Sequence, residues 1–355
     1  MIKVLELFAG IGACSKALER LGIEHEIVDA VEIDKYAIKA FNAIHHTNFE
    51  AQDITTWDKD IECDLIMHGS PCQDFSIAGK QAGGDMGSGT RSSLMYETLR
   101  IVEKLRPKYV IWENVKNILS KRHVHNWDMY AERMEELGYV NFCNILNAKD
   151  YGIPQNRERV FTVSIYAGDN FLEYDFRIPE KITLEKRLKD FLEKDVDEKY
   201  YLSDKQVLSL INSNYDQNKR FYKIDGLSPT INTMGGGHRQ PKIAIKTANS
   251  IGYDLAEDGD GVDLSYPDST TRRGRVGHGI CKTIPAACTQ GVIQDYIIRK
   301  LTPRECFRLM GFDDKDFDAC VAANISNAQL YKIAGNSIVV NVLEHLLTNL
   351  LKGEL

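Results

Sequence analysis

The first twenty-two residues place the strongest constraint on the fold. Residues 2–8 read IKVLELF, which is the length and composition of a buried strand, and residues 9–12 (AGIG) form a glycine turn after it. Apolar residues then recur at helical spacing from Cys14 to Leu21, and the pattern stops at Gly22. A strand, a glycine turn and a helix in this order open a doubly wound α/β sheet. The turn is not GxGxxG, which disfavours a site for the pyrophosphate of a dinucleotide.

The alternation of strands and helices continues to about residue 168. Ligands of open α/β sheets bind beyond the carboxyl ends of the strands. Glu32 and Glu113 follow predicted strands at such ends, and Asp53 lies at the tip of a loop that follows the second strand and helix. Singly, such acids are often solvated loop residues. Together, Glu32 and Asp53 after a glycine-rich turn predict a pocket for an adenosine without phosphates, which favours S-adenosylmethionine over NAD or ATP. Strands are predicted at 25–31, 65–67, 109–112, 139–147 and 160–165, and helices at 35–44, 92–104 and 127–137.

One of these strands runs directly into a cysteine. Leu65, Ile66 and Met67 are followed by Gly69-Ser70-Pro71 and then Cys72, which predicts a tight turn that carries a thiol at the ligand-binding edge of the sheet. The thiol is either a small packing residue or a nucleophile. Residues 79–91 are rich in glycine, which is typical of a mobile loop over a substrate or of a plain surface excursion. Arg157 and Arg159 are two apart, and lie on one face of an extended segment, as site residues or as exposed charges.

Length and composition limit which classes of protein this chain can belong to. The 355 residues suffice for two domains or for one large α/β domain with an insertion. None of the eight cysteines forms a CxxC pair or has histidine at zinc-ligand spacing, so neither a disulfide framework nor a metal site is expected. The N-terminus does not resemble a signal peptide, and no stretch approaches the roughly 20 apolar residues of a membrane span. We therefore expect a cytoplasmic protein that does not contact a membrane.

The charge is distributed unevenly along the chain. The net charge is −7, but the segment from Lys219 to Arg308 has 14 Lys and Arg against 9 Asp and Glu, a balance of +5, and the remainder has −12. This asymmetry suits an anionic partner that is held by one lobe only. Within residues 219–298 the sequence predicts short β-strands between Gly, Pro, Asp and Asn. Candidates for contact with the anion, which a solubilising surface explains almost as well, are His238, Arg239, Gln240, Arg272, Arg273 and Arg275.

The segments on either side of this basic lobe read as helical. Residues 180–215 are charged, with helices predicted around Leu184–Leu192 and Ser203–Leu210. Further along, Thr302 is expected to cap a helix that has Pro303 at its first position. The stretch from Ala334 to Val340 is predicted to begin the final apolar helix, which would pack back on the first lobe.

Seven blocks of the sequence resemble, in the same order, those of the DNA cytosine-5 methyltransferase family of the prokaryotic or phage restriction-modification type. The family's variable target-recognition region corresponds to residues 170–298, which have no firm match. The blocks are LFAGIG (7–12), VEID (31–34), GSPCQDFSIAG (69–79), ENV (113–115), QNRERV (155–160), RKLTPRECFRLMGF (299–312) and GNSIVV (335–340). Two departures are Ala13, where many members have glycine, and the long glycine-rich loop at 82–90.

The resemblance implies roles for individual residues around the cofactor. Phe8 would lie against the adenine of S-adenosylmethionine, Glu32 would bind its ribose hydroxyls and Asp53 would meet its adenine amino group. Gly10 and Gly12 would let the backbone approach the methionine part. Pro71 would also contact the cofactor, and Asn336 would close the pocket from the C-terminal segment.

The resemblance likewise implies how the base would be held. Cys72 would be the nucleophile, Glu113 would meet N3 and the amino group of cytosine, Arg159 would contact O2, and Arg157 would support the same site. As contacts to DNA we predict Gln73, Ser76 and Arg91, together with the basic-segment candidates His238, Arg239, Arg272, Arg273 and Arg275, for which the family gives no match.

Taken with the residues themselves, the resemblance implies a DNA (cytosine-5-)-methyltransferase. The expected fold is a doubly wound, Rossmann-like, S-adenosylmethionine-dependent methyltransferase sheet with a second, smaller β-rich target-recognition domain. Residues 1–175 would form the catalytic domain and 176–310 the target-recognition domain, and 311–355 would return to the first. The expected enzyme is a monomer without a metal, acts on a flipped cytosine in double-stranded DNA, and has a cognate restriction endonuclease as a candidate partner.

Three other interpretations remain open on the sequence alone. A tRNA cytosine-5 methyltransferase of the same family is disfavoured by the long variable region, which suits duplex readout. A catalytically inert DNA-binding relative is disfavoured by the presence of Cys72, Glu113 and Arg159 together. A dinucleotide oxidoreductase is disfavoured by the absence of GxGxxG.

Overall fold

A computed structural model describes residues 1–71, 75, 84–85, 88–168, 176–201, 243–267, 269–294 and 297–352. The central sheet has six strands in the order β2-β1-β3-β4-β7-β5. The first four are parallel, and β7 runs antiparallel to both β4 and β5. The strands are β1 (Ile2–Leu7), β2 (His25–Val31), β3 (Leu65–His68), β4 (Tyr109–Val115), β5 (Tyr139–Asn147) and β7 (Glu158–Tyr166), and a short β6 (Gln155–Asn156) precedes β7.

Helices cover both faces of this sheet. Both faces need cover because apolar side chains of a strand alternate between the two sides of the sheet. In β1, Val4 packs into the core on one side, whereas Leu5 and Leu7 pack into the core on the other side. The helices are α1 (Ala13–Leu21), α2 (Lys35–His45), α3 (Met95–Leu105), α4 (Val124–Glu136), α5 (Pro303–Leu309), α6 (Asp314–Ala322), α7 (Asn327–Asn336) and α8 (Val340–Leu350). Short 3-10 helices span Arg91–Leu94, Lys116–Leu119, Ala148–Tyr151, Leu188–Phe191 and Glu198–Tyr200.

A smaller β-rich region follows the central sheet in the chain. Its four-stranded antiparallel sheet has the order β11-β10-β13-β14, and a separate hairpin pairs β8 with β9. A core of its own includes Ile245, Val262 and Ile293. The expected fold class is thus confirmed. The strands are β8 (Ile243–Lys246), β9 (Tyr253–Ala256), β10 (Gly261–Asp263), β11 (Val276–Gly277), β12 (Cys281–Lys282), β13 (Gln290–Gln294) and β14 (Ile297–Lys300).

The chain returns to the central sheet in two places. Strand β12 pairs in parallel with β6, and the C-terminal helices pack against α1 and α2. Lys16 of α1 is fully buried, with its ammonium 2.9 Å from Asp313 and 3.0 Å from Asp316. Arg20 lies 2.9 Å from Glu344 of α8. The C-terminal segment thus contacts α1 of the first lobe, while the domain limits at residues 175 and 310 stay predictions.

Local predictions fared differently around the basic lobe. Thr302 caps α5 as expected: its hydroxyl accepts the Glu305 N–H at 3.2 Å, and Pro303 occupies the first helical position. The helix predicted at Leu184–Leu192 was wrong, because only the 3-10 turn Leu188–Phe191 forms there. The final helix was also misplaced, since α7 ends at Asn336 and α8 begins only at Val340. The helix predicted at Ser203–Leu210 lies outside the described residues.

Candidate active site

Glu113 and Arg159 form an ion pair at the carboxyl end of the parallel strands. Glu113 is on β4 and Arg159 on the neighbouring β7, and the arginine Nε lies 3.0 Å from the glutamate Oε1. Glu113 is only 9% exposed. Burial raises its pKa, and the cations of Arg159 and Arg157 pull the pKa back only in part. The site therefore combines a carboxyl group that retains its proton more readily than usual with a fixed cation.

The turn after β3 lies directly against this pair. A Cβ atom on Gly69 would be 3.6 Å from Glu113 Oε2 and 3.4 Å from Ile338, so the turn passes close to the carboxylate. Ser70 is buried in the same turn, and Pro71, the predicted cofactor contact, is half-buried. Cys72, Gln73 and Ser76 lie outside the described residues, as does most of the glycine-rich loop that follows them.

Arg157 has a different role from Arg159, although the two are near neighbours in sequence. It is 4% exposed, which rules out the alternative of an exposed surface charge. Its guanidinium donates to the carbonyl of Ser337 at 2.8 Å, to that of Gly335 at 3.3 Å and to that of Ile284 at 3.4 Å. Arg157 therefore joins its own segment to two distant segments of the chain beside the Glu113 pair.

The cofactor residues predicted on β1 and β2 come together at the same edge. The Glu32 carboxylate accepts the Gly10 N–H at 3.0 Å and the Asp34 N–H at 2.8 Å, and its burial raises its pKa. The glycine turn is left-handed at Phe8, Gly10 and Gly12, with φ of 51°, 56° and 78°. Phe8 is half-buried at the start of this turn. The backbone of the glycine turn therefore carries no side chain at Gly10 and Gly12 and lies close to Glu32, at the place where we expect a small ligand.

Gly12 is required for packing as well as for its backbone angle. A Cβ there would lie 2.1 Å from Nε2 of His45, whose ring contacts the Ile11 carbonyl at 3.1 Å. Burial lowers the pKa of His45 to about 4, so its ring is neutral at physiological pH. The predicted resemblance accounts for the glycine through the cofactor, whereas the structure adds a purely steric reason.

The two outer cofactor candidates, Asp53 and Asn336, are exposed. Asp53 accepts the N–H and hydroxyl of Thr55 at 2.9 and 2.8 Å, and the preceding Gln52 N–H donates to the Glu32 carbonyl at 2.8 Å. Asn336 is the last residue of α7, between the two carbonyls that Arg157 holds. A bond of 2.6 Å from Lys332 to Asp34 ties α7 to the end of β2. The first and last parts of the chain therefore meet at this edge.

The predicted DNA-contacting arginines do not share one environment. Arg91 and Arg273 are exposed, and Arg272 is partly exposed while it donates to Asp263 at 2.9 Å through Nε. Arg275 is 1% exposed and donates to the carbonyls of Asp263, Ser265 and Tyr266 at 3.0, 2.7 and 2.5 Å. A direct contact of Arg275 with DNA is disfavoured, since its guanidinium is buried and engaged by the backbone. His238 and Arg239 lie outside the described residues.

Sequence reasoning missed the hydrogen bonds that hold the turn after β3. The Ser70 hydroxyl accepts the indole N–H of Trp112 at 2.9 Å and the side-chain amide of Asn114 at 3.2 Å. A signal existed, because a tryptophan on a strand predicted to be buried must find an acceptor for its N–H. Among the described residues, no group of three or more His, Cys, Asp or Glu could hold a metal ion, and no helix is long and apolar enough to cross a membrane.

Comparison with known proteins decides the family. Residues 2–352 match the family model of the C-5 cytosine-specific DNA methylases. The chain belongs to this family. The methylase is 33% identical to the orphan methyltransferase M.SPBetaI of Bacillus phage SPbeta, over 99% of this chain and 97% of that protein. It is 31% identical to the type II methyltransferase M.HhaI of Haemophilus parahaemolyticus, over 98% and 94% of the two chains. The expected enzyme class, a DNA cytosine-5 methyltransferase, is therefore confirmed.

Solved structures support the fold of the methylase. It superposes on the S. pombe Dnmt2 methyltransferase with a TM-score of 0.62 at 19% identity, over 100% of this chain and 99% of that one. The Entamoeba histolytica methyltransferase EhMeth gives a TM-score of 0.65 at 17% identity, with the same coverage. At these identities the likeness is evidence of a common fold alone.

Proposed function

We propose that this methylase transfers a methyl group from S-adenosylmethionine to C5 of a cytosine flipped out of double-stranded DNA, through a covalent bond between Cys72 and C6. The observation that carries the proposal is the Glu113–Arg159 pair, which lies against the turn that leads to Cys72. A buried carboxyl group beside a fixed cation suits a ring that gains electron density at N3 and O2.

The residues of the chain would activate the base in sequence. Cytosine C5 is a poor nucleophile, so the Cys72 thiolate adds to C6 and converts the ring to an enamine. Glu113, with its raised pKa, donates a proton or a hydrogen bond at N3, while Arg159 stabilises charge at O2. Once C5 carries the methyl group that S-adenosylmethionine would supply, loss of the C5 proton to solvent would expel Cys72 as its thiolate and restore the ring. Because C6 is stacked within duplex DNA, the base must first leave the helix, at a cost of a few kcal/mol.

The chemistry of the glycine turn fits S-adenosylmethionine. Each oxygen of the Glu32 carboxylate accepts one backbone N–H, which leaves lone pairs for the two hydroxyls of a ribose. Phe8, Gly10, Gly12, Asp53, Pro71 and Asn336 would surround the rest of the molecule. When bound, S-adenosylmethionine supplies an electrophilic methyl group on a sulfonium and leaves as S-adenosylhomocysteine.

The basic segment, together with residues between 73 and 91, would hold the DNA. Exposed Arg91, Arg272 and Arg273, together with the predicted contacts Gln73, Ser76, His238 and Arg239, would neutralise phosphates or read base edges. We further propose that the enzyme acts as a cytoplasmic monomer. A cognate restriction endonuclease acting on the same site is a candidate partner, although the phage relative named above is an orphan enzyme.

The proposal is tested with purified wild type, Cys72→Ser and the control Cys143→Ser, a half-buried cysteine on β5. Labelled methyl groups should reach duplex DNA but not tRNA, and 5-fluorocytosine duplexes should trap an adduct with wild type and with the control only. Transfer to tRNA alone would favour the tRNA enzyme, and full activity of Cys72→Ser would refute the thiolate mechanism. Bisulfite sequencing of DNA from expressing cells would then identify the site.

A further inference from the structure

The hydroxyl of Ser70 is the point at which strand β4 holds the turn after β3. Ser70 is 3% exposed, and its Oγ accepts the Trp112 indole N–H at 2.9 Å and the Asn114 amide at 3.2 Å. The same amide lies 3.4 Å from the Ser70 carbonyl. Two side chains of one strand thus converge on a single residue of the neighbouring turn.

The indole that donates to Ser70 is itself held in place. Trp112 is fully buried and lies parallel to the ring of His68, with an interplanar angle of 3° and a centroid distance of 5.8 Å. The Tyr130 ring lies 4.3 Å from the indole and its hydroxyl is 3.0 Å from His68 Nε2. Because both neighbours are also buried, the indole N–H has little freedom to point elsewhere than at Ser70.

The alternation of β4 connects this contact with the chemistry. Trp112 and Asn114 lie two apart and hold the turn, while Glu113 between them points to the other side and pairs with Arg159. The Cβ position of Gly69, next to Ser70, is 3.6 Å from the Glu113 carboxylate. The strand that presents the acid therefore also sets the position of the turn relative to that acid.

We propose that Ser70 is a positioning residue for methyl transfer: held by the Trp112 indole N–H, it fixes the turn before Cys72 relative to Glu113. This inference rests on the proposed function, and Ser70 itself need not touch the base. A displacement of about 1 Å at a reacting centre can cost roughly 100-fold in rate. Loss of the bond should therefore lower kcat by about 10- to 100-fold, while KM for DNA and for S-adenosylmethionine changes less than about 2-fold.

The test compares Trp112→Phe, Ser70→Ala and the double variant. Trp112→Phe keeps an aromatic ring and removes the N–H, and Ser70→Ala removes one atom. The matched control is Trp127→Phe, which removes an indole N–H that is bonded at 3.1 Å not to the turn but to the hydroxyl of Thr162, the residue of β7 that pairs with Trp112 in the sheet. For each variant, kcat, both KM values and the rate of adduct formation on a 5-fluorocytosine duplex are measured.

Trp112→Phe should lose kcat and adduct rate, and Ser70→Ala should lose at least as much, because it also removes the acceptor of the Asn114 amide. The double variant should be no slower than Ser70→Ala, and Trp127→Phe should match wild type. The inference would be overturned if Ser70→Ala or Trp112→Phe kept the wild-type kcat. It would also be overturned if Trp127→Phe lost as much activity as they do, or if their loss were confined to KM. If Trp112→Phe does not fold, Ser70→Ala decides alone. An inactive wild type would instead refute the proposed function.

Discussion

Replacing Arg157 by methionine is expected to release the C-terminal segment from the central sheet. The side chain keeps similar length and apolar packing but loses all hydrogen bonds to the carbonyls of Ile284, Gly335 and Ser337. Those carbonyls belong to two segments, one before β13 and one at the end of α7. The variant thus separates Arg157, the structural part of the QNRER motif, from Arg159, which we propose contacts the base.

The magnitude follows from the geometry. The bond to Ser337 at 2.8 Å is short and charge-assisted, which is worth about 1.5–3 kcal/mol, whereas the contacts at 3.3–3.4 Å add less than about 1 kcal/mol each. Removing a buried cation also relieves its desolvation, which offsets part of the loss. We expect the free energy of unfolding to fall by about 2–3 kcal/mol.

The assay is urea unfolding of wild type and Arg157→Met, with Arg159→Met as the matched control. The midpoint should fall for Arg157→Met at constant m value. Arg159→Met should shift stability by less than about 1 kcal/mol, because Glu113 can retain its proton, but it should abolish most of the methyl transfer. By the proposed role of Asn336, binding of S-adenosylmethionine should weaken about 10-fold in Arg157→Met only. Equal stability losses in both variants would refute the distinction.

Three further predictions concern other parts of the structure. Burial raises the pKa of Glu6 from 4.5 to about 7, so folding favours its protonated form and the free energy of unfolding falls as pH rises through that interval. Urea unfolding at several pH values should show a total fall of ~3 kcal/mol from this group in wild type, and Glu6→Gln should remove it. Gly12→Ala should lower the free energy of unfolding by about 2–4 kcal/mol, because Gly12 has a positive φ and the His45 imidazole faces it. Gly22→Ala, which also has a positive φ but open space around it, should lose only about 1–2 kcal/mol. Equal shifts of the melting temperature in the two variants would contradict this. Arg273→Ala should reduce the slope of log affinity for duplex DNA against log salt by about one, whereas Arg275→Met should lower thermal stability and leave that slope unchanged.

The sequence predicted best those features that depend on neighbouring residues. Strand β2 was predicted with its observed bounds, and Gly22 ends α1 in the left-handed conformation, as its position indicated. The capping of α5 by Thr302 was also readable, because the cap and its partner Glu305 are three residues apart. The carboxyl-end rule placed Glu32 and Glu113 at one edge of the sheet without knowledge of the pairing.

Features set by distant residues could not be read in this way. Strand β4 continues to Val115, beyond the predicted end at Trp112, because β7 pairs with it as far as Arg159. The helical conformation is interrupted between Asn336, the end of α7, and Val340, the start of α8. Next to this interruption, Gly335 is so close to residues 285–286 that a Cβ atom would lie 2.5 Å from the Pro285 backbone. The burial of Arg157 depends on carbonyls more than a hundred residues away. None of these partners is visible in the local sequence.

The ion pairs of Lys16 have a consequence for the order of events during synthesis. Besides Glu19 in the same helix, its carboxylate partners are Asp313 and Asp316, which are 297 and 300 residues further along the chain. At roughly 5–20 residues per second, a ribosome needs about 15–60 s to make that interval. Until then Lys16 lacks these two distant partners, and α1 lacks the apolar cover of α8. The core on this face of the first lobe can therefore close only after the last helices have been synthesised.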